Sequence, residues 1–205
     1  MTLIADNLRC IRQDRVIFKG LGFTLGPGQG IWVKGKNGAG KSSLLRMIAG
    51  LLKPSKGTIT WKDVDTREEP ESFRQDFRYI AHQDALKPVL SVRENIEFWA
   101  QYHGGDKVAG ALKLFELEHL QDTPAQILSA GQKKRTNLAR LVASPAPLWI
   151  LDEPLSSLDT HYIDLFTDLL REHLEGGGLA LLATHQTIDL QRVTIFDLDN
   201  LKGVV

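Results

Sequence analysis

Ile31-Trp32-Val33-Lys34-Gly35-Lys36-Asn37-Gly38-Ala39-Gly40-Lys41-Ser42 decides the fold of this 205-residue chain. Gly35 to Ser42 spell G-x-x-x-x-G-K-[ST], a phosphate-binding P-loop. The apolar run before it reads as a buried strand. Leu44, Leu45, Met47 and Ile48 after it read as a helix closed by Gly50. Strand, glycine-rich loop and helix are the context the motif requires. A chain of this length shows the pattern by chance about 1% of the time, so an ordinary glycine-rich turn is a poor account of it.

In such a loop the glycines let successive backbone N–H groups curl around phosphate oxygens, and the helix aims its positive end at the same anion. Gly35, Lys36, Asn37, Gly38, Ala39, Gly40, Lys41, Ser42 and Ser43 are therefore the expected nucleotide contacts. Lys41 is the mobile cation for the β- and γ-phosphates, and the Ser42 hydroxyl is a Mg²⁺ ligand. The side chains of Lys34 and Lys36 read as solvated lysines that add local positive charge.

Composition narrows the classes. Hydrophobic residues make up 42% and charged residues 24%, which suits one globular unit. Lysine plus arginine and aspartate plus glutamate both number 25, and this balance gives no support to nucleic-acid binding. Cys10 is the single cysteine, so no intrachain disulfide can form and a reducing compartment fits. The N-terminus lacks a signal-peptide pattern, and the apolar stretches are far shorter than the ~20 residues that span a bilayer. Any membrane role is expected to come through a partner.

Along the chain, residues 2–34 read as short strands: Leu3–Ala5, Arg15–Phe18 and Gly22–Leu25. Gly57–Trp61 and Phe77–Ala81 are further strands. From about residue 91 to 143 the texture is helical, with apolar stripes Val92/Ile96/Phe98/Trp99, Ala109/Leu112/Phe115/Leu117 and Leu138/Leu141/Val142. Then come a strand at Leu148–Leu151, a helix over 160–174, and strands at Gly178–Ala183 and Val193–Leu198. The fold class is α/β: a P-loop NTPase core with a mixed sheet flanked by helices, an antiparallel β subdomain and an inserted helical lobe.

Asp152 and Glu153 end a buried strand, where α/β proteins bind ligands. Asp152 is expected to hold the Mg²⁺ shell, and Glu153 to orient or deprotonate the attacking water. Ser129 reads as the N-cap of a helix entered through Leu128-Ser129-Ala130-Gly131-Gln132, a second anion-binding device. Taken alone, this helix with Lys133, Lys134, Arg135 and Arg140 reads as a capped basic surface helix. Two such devices in one chain suggest that two chains share each nucleotide. Gln83 and His185 follow predicted strands at the same sheet edge. There the amide of Gln83 can bridge metal and water, and the His185 imidazole can contact the γ-phosphate.

Gly35–Ser42, Gln83, Leu128–Gln132, Ile150–Pro154, Ser156–Asp159 and His185 stand in the order and spacing of an ABC-transporter nucleotide-binding subunit, and the resemblance covers essentially the whole chain. It implies one ABC ATPase domain over 1–205, with a RecA-like/β core at 1–83 and 145–205 and a helical lobe at about 84–144. It further implies ATP and Mg²⁺, and a head-to-tail homodimer in the ATP state. Ser129 and Gly131 of one copy would then face the γ-phosphate on the other, with Asp159 crossing the interface. Two positions depart from the family pattern. Ala130 stands where a second glycine is usual, which predicts competence with slower turnover. The stretch before the P-loop, Arg9–Gln13, lacks the aromatic that stacks on adenine. Arg12 either stacks its guanidinium on the base or faces solvent.

Leu148–Pro154, Leu128–Gln132 and Lys133-Lys134-Arg135 look like the CcmA group, the ATPase subunits of the haem-handling ABC complex of bacterial cytochrome c maturation. That likeness implies a CcmB-like membrane permease with CcmC/CcmD-like proteins, hydrolysis coupled to haem export or release of haem-loaded CcmE, and a peripheral place on the cytoplasmic face of the bacterial inner membrane. Six scattered histidines and one cysteine make no haem ligand set, so haem is expected with the partners. By the same analogy the permease docks between the lobes at Asp84–His103, chiefly on the 84–92 loop. Phe98, Trp99 and Tyr102 either line that groove or face the lobe's own core. No regulatory domain is expected after His185. Readings from other classes are a soluble ABC ATPase assembly factor of the iron–sulfur cluster type and the ATPase of another small ABC exporter.

Overall fold

The computed structural model describes residues 1–200; residues 201–205, the end of the expected core segment, lie outside the described residues. In chain order the elements are β1 (Leu3–Arg12), β2 (Arg15–Leu25), β3 (Gly30–Lys34), α1 (Lys41–Ile48), β4 (Lys56–Trp61), β5 (Val64–Asp65), α2 (Pro70–Gln75), β6 (Phe77–Ile80), α3 (Val92–Tyr102), α4 (Val108–Leu114), α5 (Ala130–Ala143), β7 (Leu148–Asp152), α6 (Thr160–Glu175), β8 (Leu179–Ala183) and β9 (Val193–Asp197).

Two sheets form. One is antiparallel in the order β2-β1-β4-β5, and the other runs β6-β7-β8-β3-β9 with every pairing parallel. Antiparallel and parallel strands thus separate into two sheets rather than mixing in one. The three short strands expected over 3–25 are one long hairpin, β1–β2. Its outward residues include exposed Ile11 and Val16 among polar ones, and its register shifts between Ala5 and Leu8, Leu8 and Cys10, and Cys10 and Ile11. Those irregularities break the alternation that would have shown its length.

The parallel strands are buried on both faces, as such strands must be. Val33, Leu148, Ile150, Leu179 and Leu181 turn toward α1 and the antiparallel sheet, where Leu44, Leu45 and Ile48 meet them. Trp149, Leu151, Ala180 and Leu182 turn the other way and join one apolar cluster with Val92, Ile96, Leu112, Phe115, Leu138, Phe166 and Leu170. The helical block α3–α5 therefore shares its core with the sheet.

Within that block the sequence reading needs three corrections. Ala109 is exposed, and Ala111 joins Leu112 as the buried residues of α4. The buried stripe of α3 is Val92, Asn95, Ile96 and Ala100. Phe98 and Tyr102 are exposed, and Trp99 is half-buried with the Arg140 guanidinium 3.8 Å from its ring. Helix α5 is not a basic surface helix either, because α3 and α4 pack against it. Lys134, Arg135, Asn137 and Arg140 are all buried. Lys134 Nζ lies 3.1 Å from Asp84 Oδ1, which also accepts from Asn137 Nδ2 at 3.0 Å. Arg140 donates to Asn137 Oδ1 at 2.6 Å, and burial pushes its pKa down to about 9.

The polar row on α5 thus grips the start of the 84–92 loop, and Asn95 holds the rest of it. Asn95, 1% exposed, accepts from Lys87 N and donates to the carbonyls of Lys87, Leu90 and Ser91. Removing Asp84 strands a buried ammonium. Asp84→Ala is expected to destabilise the chain by about 3 kcal/mol and to lower its thermal midpoint by about 6 °C or more. Lys134→Met added to it should recover most of the loss in a calorimetric scan.

Candidate functional site

Strand register assembles the site. Ala183 of β8 pairs with both Val33 of β3 and Asp152 of β7. One line across the sheet therefore precedes the P-loop, carries the carboxylate and leads two residues later to His185. Around this line lies a cavity of about 510 Å³ lined by Arg12, Ile17, Asn37, Gly38, Gly40 to Ser43 of the P-loop, His82, Asp152, Glu153, Ser156 and His185; Gly35, Lys36 and Ala39 do not line it, and Ala39 is packed in the core. A larger cavity of about 590 Å³, between the ends of β2 and β9, lacks any P-loop residue or carboxylate. The chemistry therefore belongs to the smaller one.

Lys41 opens α1 and is nearly buried. Its Nζ donates to Gly35 O at 2.7 Å and sits 3.4 Å from Lys36 O and 3.5 Å from His185 Nε2. Its charge is held on carbonyl dipoles that a phosphate oxygen can replace. Ser42 Oγ donates to Asp152 Oδ1 at 3.1 Å. The other carboxylate oxygen, Asp152 Oδ2, is buried and has no partner among the described residues. A buried carboxylate oxygen left in that state calls for a cation. One carboxylate beside one hydroxyl is the donor set of a magnesium ion that takes its remaining ligands from phosphate and water.

Glu153 follows on a strained backbone, with φ at +50° in a region that side chains disfavour. Its N–H donates to Ala183 O at 2.8 Å, which fixes the turn and directs the side chain to the sheet edge. Glu153 Oε1 lies 3.6 Å from His185 Nε2, and the same nitrogen is 3.1 Å from Asn37 Oδ1. His185 is steadied from behind: Trp32 Nε1 donates to Thr184 O, and Gln186 Nε2 to Leu155 O. A carboxylate base, an imidazole and a lysine thus face one space, the arrangement that activates water against a phosphoryl group.

Gly40 shows how closely the hairpin is fitted over the loop. Its φ is +108°, and a Cβ there would stand 2.6 Å from Ile17 Cγ2. Ile17 and Arg12, on the two strands of the hairpin, both line the cavity. Arg12 is exposed, so its guanidinium is free to lie on a base.

Other expected residues stand apart. Gln83 is exposed and does not line the cavity; His82 does. Ser129, Gly131 and Asp159 do not line it either. Ser129 caps α5 through a reciprocal pair with Gln132, accepting from Gln132 N at 3.2 Å while Gln132 Oε1 accepts from Ser129 N at 2.8 Å. Its own hydroxyl proton has no acceptor among the described residues and faces solvent. Ala130 is the first helical residue with ordinary right-handed geometry, so its methyl is accommodated. Gly131 is needed for a different reason: a Cβ there would meet Ser157 O at 2.9 Å. Asp159 caps α6 by accepting from Tyr162 N.

Sequence reasoning missed Ile17 and His82, and it placed Ser156 in a motif without making it a site residue. Ile17 was open to discovery, since pairing Arg12 with Arg15 across a two-residue turn brings it beside Arg12. No motif marks His82.

Residues 18–156 match the family model described as ABC transporter. The cytochrome c biogenesis ATP-binding export protein CcmA of Paramagnetospirillum magneticum is 48% identical over 97% of this chain and 94% of its own length. That of Rhodospirillum rubrum is 47% identical over 95% and 84%. Among solved structures, an ATP-binding subunit of an ABC transporter superposes with a TM-score of 0.83 at 26% identity, covering 90% of this chain and 80% of its own. A dimeric post-hydrolysis ATP-binding cassette bound to ADP and Pi superposes with a TM-score of 0.80 at 25% identity, over 90% and 88%. The P-loop, the carboxylate pair and the histidine share one sheet edge here, and the chain belongs to the ABC transporter family.

Proposed function

We propose that this chain is the ATP-hydrolysing subunit of a membrane-bound ABC complex of cytochrome c maturation, peripheral on the cytoplasmic face of the bacterial inner membrane. The observation that carries the reading is the single cavity into which Lys41, the Ser42–Asp152 pair and the Glu153–His185 pair all face. The relatives named as cytochrome c biogenesis export proteins support the choice of system. No helix among the described residues is long and apolar enough to cross a membrane, which agrees with attachment through a partner.

The P-loop amides and Lys41 take the phosphates, and Arg12 with Ile17 receives the base. Ser42 and Asp152 would hold Mg²⁺, with Gln83 as the further expected ligand. When bound, the ion would neutralise phosphate charge. Glu153 accepts a proton from water, whose oxygen attacks the γ-phosphorus while the bond to ADP breaks, giving ADP and phosphate. His185 orients the γ-phosphate. Ser129 and Gly131 of a second, head-to-tail copy complete the γ-phosphate site, and Asp159 reaches across the interface. Two Mg-ATP are then enclosed per dimer.

The docking face for a CcmB-like permease, with CcmC/CcmD-like proteins beyond it, is the 84–92 loop. Val89 is 77% exposed at its tip, and Lys87 lies over the exposed Phe98 ring. Asp84 belongs to the α5 network, so reversing its charge tests stability, not docking.

Glu153→Gln is expected to lower ATP turnover by about 10²-fold or more while Mg-ATP binding stays intact, read by steady-state hydrolysis and calorimetry. Arg12→Ala is expected to weaken ATP and GTP binding alike by about three- to ten-fold, and unchanged affinities refute the stacking role. Tagged Glu153→Gln protein with Mg-ATP should retain a CcmB-like membrane protein and haem absorbance from detergent-solubilised membranes. Val89→Asp with Lys87→Glu should abolish that capture without changing nucleotide affinity. Recovery of soluble partners alone overturns the membrane reading.

A further inference from the structure

The turn after β9 reaches the P-loop from behind. Leu198 N donates to Lys34 O at 2.9 Å, extending the β3–β9 ladder beyond the strand ends, and Leu198 is buried. The next residue, Asp199, accepts the Lys36 N–H on Oδ2 at 2.8 Å. Its own placement is fixed by Asp197, which accepts from Asp199 N and from Asn200 Nδ2, both at 2.9 Å. Asp197 is in turn paired in register with Lys34.

The Lys36 N–H belongs to the same peptide unit as the Gly35 carbonyl. In a trans peptide these two groups point in opposite directions. The Gly35 oxygen is the one that accepts from Lys41 Nζ at 2.7 Å. One peptide plane is therefore held on its outer edge by a carboxylate and on its inner edge by the P-loop lysine. Asp199 does not line the cavity.

We propose that Asp199 is a positioning residue of the ATPase: by holding the Gly35–Lys36 peptide it presets the P-loop and the resting place of Lys41. Without it that peptide is free to rotate. Its N–H would then turn into the loop and its carbonyl away from Lys41. The loop must be reordered each time a nucleotide enters, and such reordering weakens binding without altering the chemistry of the bound state. The inference rests on the reading of residues 35–42 as the phosphate site.

The test compares full-length parent, Asp199→Ala, Asp199→Asn and Lys41→Ala in Mg-ATP binding and hydrolysis. Asp199→Ala should raise KM and Kd for Mg-ATP by about five- to ten-fold with kcat within about two-fold of the parent. Asp199→Asn keeps an acceptor oxygen and should return both constants to within about two- to three-fold. In amide NMR spectra the Lys36 proton should move upfield in Asp199→Ala and exchange faster than in the parent. Unchanged KM and an unmoved Lys36 resonance overturn the proposal. So does a fall in kcat with KM unaltered in both variants, the mark of a purely structural turn. If Asp199→Ala does not fold, the Asp199→Asn constants and slow exchange of the parent's Lys36 amide decide it, and fast exchange there overturns it. Lys41→Ala separates the two readings. Loss of binding in that variant beside normal binding in Asp199→Ala refutes only the positioning role, whereas full binding by Lys41→Ala refutes the phosphate site itself.

Discussion

Everything at the site depends on the parallel register through Ala183. Because that residue pairs with Val33 on one side and Asp152 on the other, three chain segments leave the sheet side by side. They become the P-loop, the Glu153 turn and the His185 loop. Sliding the β7–β8 pairing by one residue would turn Asp152 to the opposite face, since successive side chains alternate. The register is enforced by burial on both faces: Leu148 and Ile150 enter one core, while Trp149 and Leu151 enter the other. The apolar residues thus act as an alignment device for polar groups they never touch.

That alignment concentrates unfavourable features at one edge. Asp152 Oδ2 is buried without a partner, Glu153 holds a left-handed backbone, and the Lys41 ammonium is nearly buried. Each carries a cost of about 1–3 kcal/mol when no ligand offsets it. The chain offsets part of this from its own resources. Gly35 O and Lys36 O accept from Lys41, Ser42 donates to Asp152, and Asn37 meets His185. In the proposed function these are the contacts that phosphate and a divalent cation would take over.

Local signals made most of this legible. The P-loop lies between an apolar strand and a helix, and the Ser129 cap with Gln132 three residues on is visible in sequence. The strand ends carrying Asp152 and His185 follow from short apolar runs. Features set by distant contacts were not legible. The hairpin's length is hidden by its irregular register. The basic row on α5 looks solvated until α3 and α4 cover it, and Asp84 gives no sign of its pairing with Lys134. Gln83 stands at the right place in the chain but not at the cavity, because the loop after β6 is shaped by the Asp84 and Asn95 contacts. Asp199 lies in no motif and finds its role only because β9 lies beside β3.

The contacts around Gly131 bear on the second copy that the proposed function calls for. Gly131 abuts Ser157 O, and Arg135 of the same helix reaches Phe115 O and the Tyr162 hydroxyl. Tyr162 also donates to Glu116 Oε2 at 2.9 Å. The start of α5, the turn before Asp159 and the start of α6 are thereby tied together. A motion that carried Ser129 toward Lys41 of its own chain would have to break these ties or drag Asp159 with it. Ser129 keeps an unengaged hydroxyl proton and Asp159 sits at a helix entry, and neither borders the cavity. In the proposed function the start of α5 binds an anion, and a helix start that cannot reach its own chain's anion without dismantling its supports suits that of another copy. The nearest source of such an anion is the P-loop of an identical chain turned head to tail.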